Sequence, residues 1–173
     1  MKYYILFNPF AGNGENAEKL QALAASFDDS EVVDMTKIES YEEFFNGVDE
    51  SDSIVLCGGD GTINRFVNDT EGLNLKNDIL YFALGTGNDF LKDIDGASPD
   101  KPIQINKYIS DLPTVTVNGK TYRFLNNVGF GIDGYCCEVG DKLRLESNKP
   151  INYTGIAIKG LLFHYKPTTA KGT

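Results

Sequence analysis

The sequence predicts an α/β fold, a parallel sheet with helices on both faces, followed by the start of a second, mainly β lobe. Three observations carry this. Short apolar runs alternate with stretches of helical spacing from the N-terminus to about residue 98, the pattern of strands joined by crossover helices. Three of those runs end in loops rich in Gly, Asn and Asp, at residues 8–14, 58–64 and 85–90. Beyond them, Asn118-Gly119 sits between Thr114-Val115-Thr116-Val117 and Thr121-Tyr122-Arg123-Phe124-Leu125, the strongest short-range hairpin signal in the chain.

The elements follow in order. Residues 2–8 read as the first strand, which Pro9 cannot continue. Ala17, Leu20, Leu23, Ala24 and Phe27 trace one face of a helix beginning near Glu15, with Asn13 or the glycine after it as the entry cap. A short strand at 31–35 precedes Ser40, whose Glu43 three residues on makes a capping box. Tyr41, Phe44, Phe45 and Val48 give the stripe of a second helix. Residues 53–57 form a third strand with the composition of a fully buried one, and 63–68 coil as a helix after it. A fourth strand at 79–84 ends in Gly85-Thr86-Gly87-Asn88-Asp89-Phe90, with a short helix over 90–94. Asn152 to His164 has the spacing of a moderately apolar helix. Lobe boundaries are expected at 1–108 and 109–173.

Composition narrows the function. The chain has 173 residues, 41% of them apolar and 24% charged, which suits a globular protein. Residues 1–108 hold 8 Lys and Arg against 20 Asp and Glu, whereas 109–173 hold 8 against 5. So acidic a first lobe excludes nucleic acid as its partner. Any approach to a membrane surface falls to the second lobe. The apolar run at 156–163 contains Lys159 and is far shorter than a membrane span. Cys57, Cys136 and Cys137 are odd in number and lack C-x-x-C spacing, which fits a reducing cytoplasm.

The three loops would meet at one edge of the sheet, beyond the carboxyl ends of the strands, where ligands bind in such folds. Gly58, Gly59 and Gly61 are expected to adopt φ > 0 and to let the backbone approach a ligand, and the helix start beside them favours phosphate. Asp60 is out of place among anion-attracting groups unless it meets a metal, a hydroxyl or a proton. Gly12-Asn13-Gly14-Glu15-Asn16-Ala17 with Asp34 also fits the dinucleotide fingerprint. Asn8-Pro9-Phe10-Ala11 separates that pattern from its strand, however, and it assigns no role to the other two loops. The Walker pattern is absent.

Taken together, Asn8-Pro9-x-x-Gly12, Gly58-Gly59-Asp60-Gly61-Thr62-x-Asn64 and Gly85-Thr86-Gly87-Asn88-Asp89-Phe90 resemble the diacylglycerol kinase catalytic domain family. This family has bacterial lipid kinases and sphingosine kinase relatives, and its nucleotide lobe is Rossmann-like and shared with NAD kinases. The resemblance continues through Phe124-Leu125-Asn126 and Gly129-Phe130-Gly131-Ile132-Asp133, which look like the opening of its β-sandwich lobe. It implies ATP-dependent phosphoryl transfer to a lipid hydroxyl, with Mg²⁺. By that resemblance Asn8, Pro9, Phe10, Ala11 and Gly12 bind the nucleotide, together with Gly58, Gly59, Asp60, Gly61, Thr62, Ile63 and Asn64, with Thr86 at the edge of the phosphate site. Thr36 matches a nucleotide position of relatives, or is an ordinary helix-entry residue.

The resemblance also gives Asp60 a catalytic part, orienting either the metal's water shell or the acceptor hydroxyl. Asp89 and Asp133 are candidates for the same acidic cluster, with Asp89 alternatively a helix N-cap. Relatives usually carry Glu where this chain has Arg65. The family's base and Mg²⁺ ligands lie in the later part of its second lobe, so this chain alone is expected to bind nucleotide with little turnover. The alternatives are a nucleotide-binding fragment without catalysis and an NAD kinase relative. An incomplete sandwich leaves strand edges open to pairing with a second copy. His164 has no Cys or His at ligand spacing and reads as a surface or packing residue.

Overall fold

The computed structural model describes residues 1–9, 16–84, 88–146 and 151–166. Five strands form one sheet: β1 (Tyr3–Phe7), β2 (Ser30–Asp34), β3 (Ser53–Gly58), β4 (Asp78–Ala83) and β5 (Ile103–Gln104), in the order β2-β1-β3-β4-β5. The first four are parallel, as the alternation of strand and helix predicts. β5 is antiparallel to β4 and was not visible as a strand in the sequence, because two residues carry no periodicity. From β1 the chain goes to one side for β2 and to the other for β3, so the topology switches between β1 and β3.

β3 is paired on both sides and buried along its whole length, which is why its sequence is continuously apolar. Alternation along the strands divides the core between two faces. Leu6, Ile54, Leu56, Ile79 and Tyr81 pack with α2 (Tyr41–Asn46), α3 (Asp60–Asp69) and α4 (Asp89–Lys92). Ile5, Val55, Cys57 and Phe82 pack with Leu20, Leu23 and Ala24 of α1 (Asn16–Ala25) on the other. α1 stops short of Phe27 because the Ser26 hydroxyl donates back to the Leu23 carbonyl at 2.6 Å. The expected cap of α2 is present: the Glu43 N–H donates to Ser40 Oγ at 3.2 Å, a contact worth about 1 kcal/mol.

After β5 a single helical turn, α5 (Asn106–Ile109), fastens the sheet's edge. Asn106 accepts from the Ile79 N–H at 2.8 Å and donates to the Asn77 carbonyl at 2.9 Å. The hairpin is β6 (Thr114–Val117) with β7 (Lys120–Arg123), turning through Asn118 at φ 52° and Gly119 at φ 79°. Both residues have the left-handed backbone that a two-residue hairpin turn requires.

The chain divides into two compact units, Met1–Asn126 and Asn127–Thr173. Within the second, the described elements are α6 (Ile132–Glu146), α7 (Tyr153–Lys159) and a π-helical turn, Gly160–His164. The expected β character of 109–173 is represented by the β6–β7 hairpin, and the described residues beyond Asn126 are helical where regular. Gly131 at φ 70° makes the turn into α6, so Ile132, Asp133 and Gly134 open a helix. α6 and α7 approach closely: a Cβ on Gly140 would stand 2.7 Å from the Tyr153 ring. Among the described residues no helix is long and apolar enough to cross a membrane.

Candidate functional site

The carboxyl ends of β1, β3 and β4 lie side by side at the topological switch. Phe7 is in register with Cys57, and Gly58 with Ala83. The Asn8 N–H donates to the Cys57 carbonyl at 3.3 Å, and the Leu84 N–H to the Gly58 carbonyl at 2.8 Å. These bonds hold the segment after each outer strand against the end of β3.

β3 passes into α3 through one residue. Gly59, at φ −109° and ψ −172°, is the N-cap, and Asp60 is already helical. Gly59 has no side-chain acceptor to offer, and the Thr62 N–H turns back to the Gly59 carbonyl at 2.8 Å, so the positive end of α3 meets the sheet edge with the Asp60 and Gly61 N–H groups at its start. The expectation of φ > 0 at Gly58, Gly59 and Gly61 is not met, since the described positive-φ glycines are Gly72, Gly96, Gly119 and Gly131. Gly58 is needed for a different reason. A Cβ there would overlap the Thr62 hydroxyl and stand 2.7 Å from Thr62 Cβ, and Thr62 is buried. Gly61, in contrast, is exposed with nothing near its missing Cβ. Ile63 is buried against the sheet, and Asn64 is half-buried one turn into α3. The Asn8 amide reaches Thr62 Oγ1 at 3.5 Å, which links the first loop to α3.

Asp60 is where these segments meet. Its Oδ2 accepts from the Asp89 backbone N–H at 2.9 Å and from Asn126 Nδ2 at 3.0 Å. Its Oδ1 is buried and has no partner among the described residues. A buried carboxylate oxygen without a donor is costly, and it fits a cation, a hydroxyl or bound water. Asp89 contributes its N–H rather than its acid. Asn88, left-handed at φ 49°, holds the N-cap position of α4, and the Asp89 carboxylate pairs with Lys92 at 2.7 Å in the open. Arg65 likewise pairs along its own helix, with Asp69 at 3.1 Å. Asp133 belongs to the second unit.

Tyr81 supports the floor of the site. Its buried hydroxyl lies 3.0 Å from the Gly58 carbonyl and 3.2 Å from Asn88 Oδ1, so it can donate to either. Burial first, then the charges of Asp60 and Cys57, hold its phenol well above the ordinary tyrosine range, so it stays a neutral donor. Burial alone pushes the Cys57 thiol up to about 12.

Thr36 stands at the same edge, just past β2. Its N–H and hydroxyl donate to Asp34 Oδ1 at 3.0 and 2.6 Å, which holds the Asp34 carboxyl below its usual range. A cavity of about 600 Å³ lies against α1, with Val32 of β2 rather than Thr36 in its wall. Its walls include Phe7, Pro9, Leu20 and Leu84, with Asn8, Asn16 and Gln21 as polar members. Phe10, Ala11, Gly12 and Thr86 lie outside the described residues, and Pro9 is exposed where the first loop leaves β1. Asn126 and Tyr81 were missed as site residues in the sequence. Asn126 is 66 positions from Asp60, and Tyr81 reads as one more apolar strand residue.

The model of the family described as "Diacylglycerol kinase catalytic domain" matches residues 2–117. Diacylglycerol kinase zeta of Homo sapiens and that of Rattus norvegicus are each 28% identical to this chain over 114 residues. The alignment takes in 60% of this chain but 12% of each kinase, so the chain spans a small part of those relatives' length. A crystal structure of a diacylglycerol kinase from Bacillus anthracis str. Sterne is 28% identical with a TM-score of 0.43, over 69% of this chain and 45% of that one. The family match runs from β1 to the end of β6 and takes in Asp60, Tyr81 and Asp89. It therefore covers the sheet and nearly all of the site, and the chain belongs to the diacylglycerol kinase catalytic domain family.

Proposed function

We propose that this chain supplies the nucleotide lobe and the first part of the lipid lobe of an ATP-dependent lipid kinase of the diacylglycerol kinase type. In the reaction a lipid hydroxyl oxygen bonds to the γ-phosphorus as the bond to the bridging oxygen of ADP breaks, and the hydroxyl proton leaves. One observation carries the proposal: the divided carboxylate of Asp60, with Oδ2 held by two donors and Oδ1 buried without a partner, beside the open N-terminus of α3. Catalysis of phosphoryl transfer is mostly positioning and charge stabilisation. The Asp60 and Gly61 N–H groups at the start of α3 suit the phosphates, in the segment Gly58, Gly59, Asp60, Gly61, Thr62, Ile63 and Asn64. Asn8 and Pro9 border the cavity of about 600 Å³, whose largely apolar wall suits a nucleobase, and Thr36 follows β2 at the same sheet edge.

The donor set fits Mg²⁺ of the kind that keeps most of its water. Among the described residues no group of three acidic, His or Cys side chains could hold a metal, and Mg²⁺ in kinases is commonly held by one or two carboxylates plus phosphates. Asp60 would hold it through Oδ1. Bound there, it would neutralise charge developing on the transferred phosphoryl group.

A second reading, nucleotide binding without turnover, is favoured by the Asp89 carboxylate pairing with Lys92 rather than turning toward the phosphate site. Lipid contact would fall to the second unit, where Ile158, Leu161, Leu162 and Phe163 are exposed and no acidic residue follows Glu146. The test is calorimetric titration of the chain with ATP and Mg²⁺, and separately with NAD. ATP binding is expected; a folded sample that binds no ATP sinks both readings. Incubation with labelled ATP and diacylglycerol vesicles then separates them: Asp60-dependent labelling of the lipid supports the kinase reading, and its absence supports binding without turnover.

A further inference from the structure

We propose that Asn126 is a positioning residue for Asp60: its side-chain amide fixes the carboxylate by Oδ2 and so aims Oδ1 at the metal–phosphate ligand. The inference rests on the nucleotide site above but adds a residue beyond the region 2–117 that the family model matches. A carboxylate at the first position of a helix has two freely rotating bonds. One donor at one oxygen leaves it able to swing about that contact. Here two donors converge on the same oxygen from separate segments, the Asp89 N–H at 2.9 Å and Asn126 Nδ2 at 3.0 Å. Two donors on one oxygen define the plane of the group and leave the other oxygen a single direction. That oxygen is the buried, unpartnered Oδ1.

Asn126 is itself held in place. Three residues earlier, the Arg123 N–H donates to Asn68 Oδ1 at 2.9 Å, and Asn68 Nδ2 donates to the Arg123 carbonyl at 2.9 Å. The segment leaving β7 is thus clamped to α3 near its end at Asn68 and again at its start through Asp60. An amide is the side chain suited to position 126. A carboxylate there would repel Asp60, and an apolar residue would leave Oδ2 with one donor.

The test is a double-mutant cycle on Mg²⁺·ATP affinity with Asp60→Asn, Asn126→Leu and the pair, each checked for folding by circular dichroism and urea midpoint. Asn126→Leu is expected to weaken Mg²⁺·ATP about 5- to 20-fold, in keeping with one charge-assisted hydrogen bond. It should leave Mg²⁺-free ATP binding within twofold, and add nothing further in the Asp60→Asn background. Asn126→Asp should be weaker than Asn126→Leu, whereas a purely structural role would order them the other way. Additive losses, or equal losses with and without Mg²⁺, overturn the inference.

A second readout is independent of ATP. The Asn126 side-chain NH₂ signals in a ¹H–¹⁵N spectrum should move in Asp60→Ala. If they stay fixed, the contact does not exist in solution and the inference falls. Failure of the wild-type chain to bind ATP while these signals respond would instead sink the nucleotide site and keep the pair.

Discussion

Asn68 and Arg123 pair as two strands would: the Asn68 carboxamide accepts from the Arg123 N–H and donates to its carbonyl, both at 2.9 Å. A side chain on α3 thereby satisfies both backbone groups of a residue in β7, and through it the hairpin is registered on the helix that carries Asp60. Asn68→Ala removes both bonds and leaves a part-buried N–H and carbonyl. It should cost about 2–3 kcal/mol, read as a lower urea midpoint with an unchanged m-value. Asn68→Asp keeps the acceptor and loses the donor, and should fall between the two.

Gly58 and Gly61 separate packing from ligand approach. Gly58→Ala drives a methyl into buried Thr62 and should destabilise by about 1–3 kcal/mol. Gly61→Ala meets nothing within 4 Å and sits in the first turn of α3, so stability should hold or rise by up to about 1 kcal/mol. Its Mg²⁺·ATP affinity should nevertheless fall, because the methyl occupies the approach to the helix N-terminus. Thermal melts and calorimetry on the two variants give opposite rankings if this is right.

Tyr81→Phe removes a donor from the Gly58 carbonyl, which keeps the Leu84 N–H at 2.8 Å. With one bond of two remaining, the cost should be about 1 kcal/mol by urea denaturation. A loss above about 3 kcal/mol would mean that the hydroxyl supports more than this carbonyl.

Alkaline stability should be governed by buried acids that stay protonated in the fold. Cys57 is raised from 9.0 to about 12 by burial, and Tyr41 from 10.0 to about 12 by burial and then Asp69, with Arg65 opposing. The folded state holds these protons after the unfolded state has released them, so stability is full below about pH 9 and declines from there toward pH 12. Cys57 alone contributes a slope of about 1.4 kcal/mol per pH unit across most of that window. Urea midpoints from pH 7 to 10.5 should fall above pH 9, and Cys57→Ala should flatten the curve whatever it does to stability at pH 7.

The sheet was legible because its central strand β3 is buried on both faces, so Ile54, Val55, Leu56 and Cys57 form one unbroken apolar run, and because Ser40 and Asn118-Gly119 mark their elements by local chemistry. The part played by Gly58 was not legible, since a glycine kept for want of space reads the same as one kept for φ > 0. Asp60 stood out as an acid in an anion-attracting turn, but its partners did not. Asn126 and the Asp89 N–H reach it only through tertiary folding, and a backbone donor leaves no trace in side-chain identity. Helix α6 was missed because Gly131 and Gly134 lie three apart, and only the first makes a turn.

The Asn106 amide ties the chain after β5 back to Asn77 and to Ile79 of β4, and this shapes how the sheet can meet other chains. On that side the last strand is two residues long, reversed in direction and backed by a helical turn. On the opposite side β2, among the described residues, pairs with β1 alone, runs parallel for five residues and leaves Val32 44% exposed. An incoming strand that extends this sheet has a template at β2 and almost none at β5. Any growth by strand addition would therefore be one-sided, and a charge added to β2 beside Glu31 and Asp34 would oppose it more than the same charge on β5.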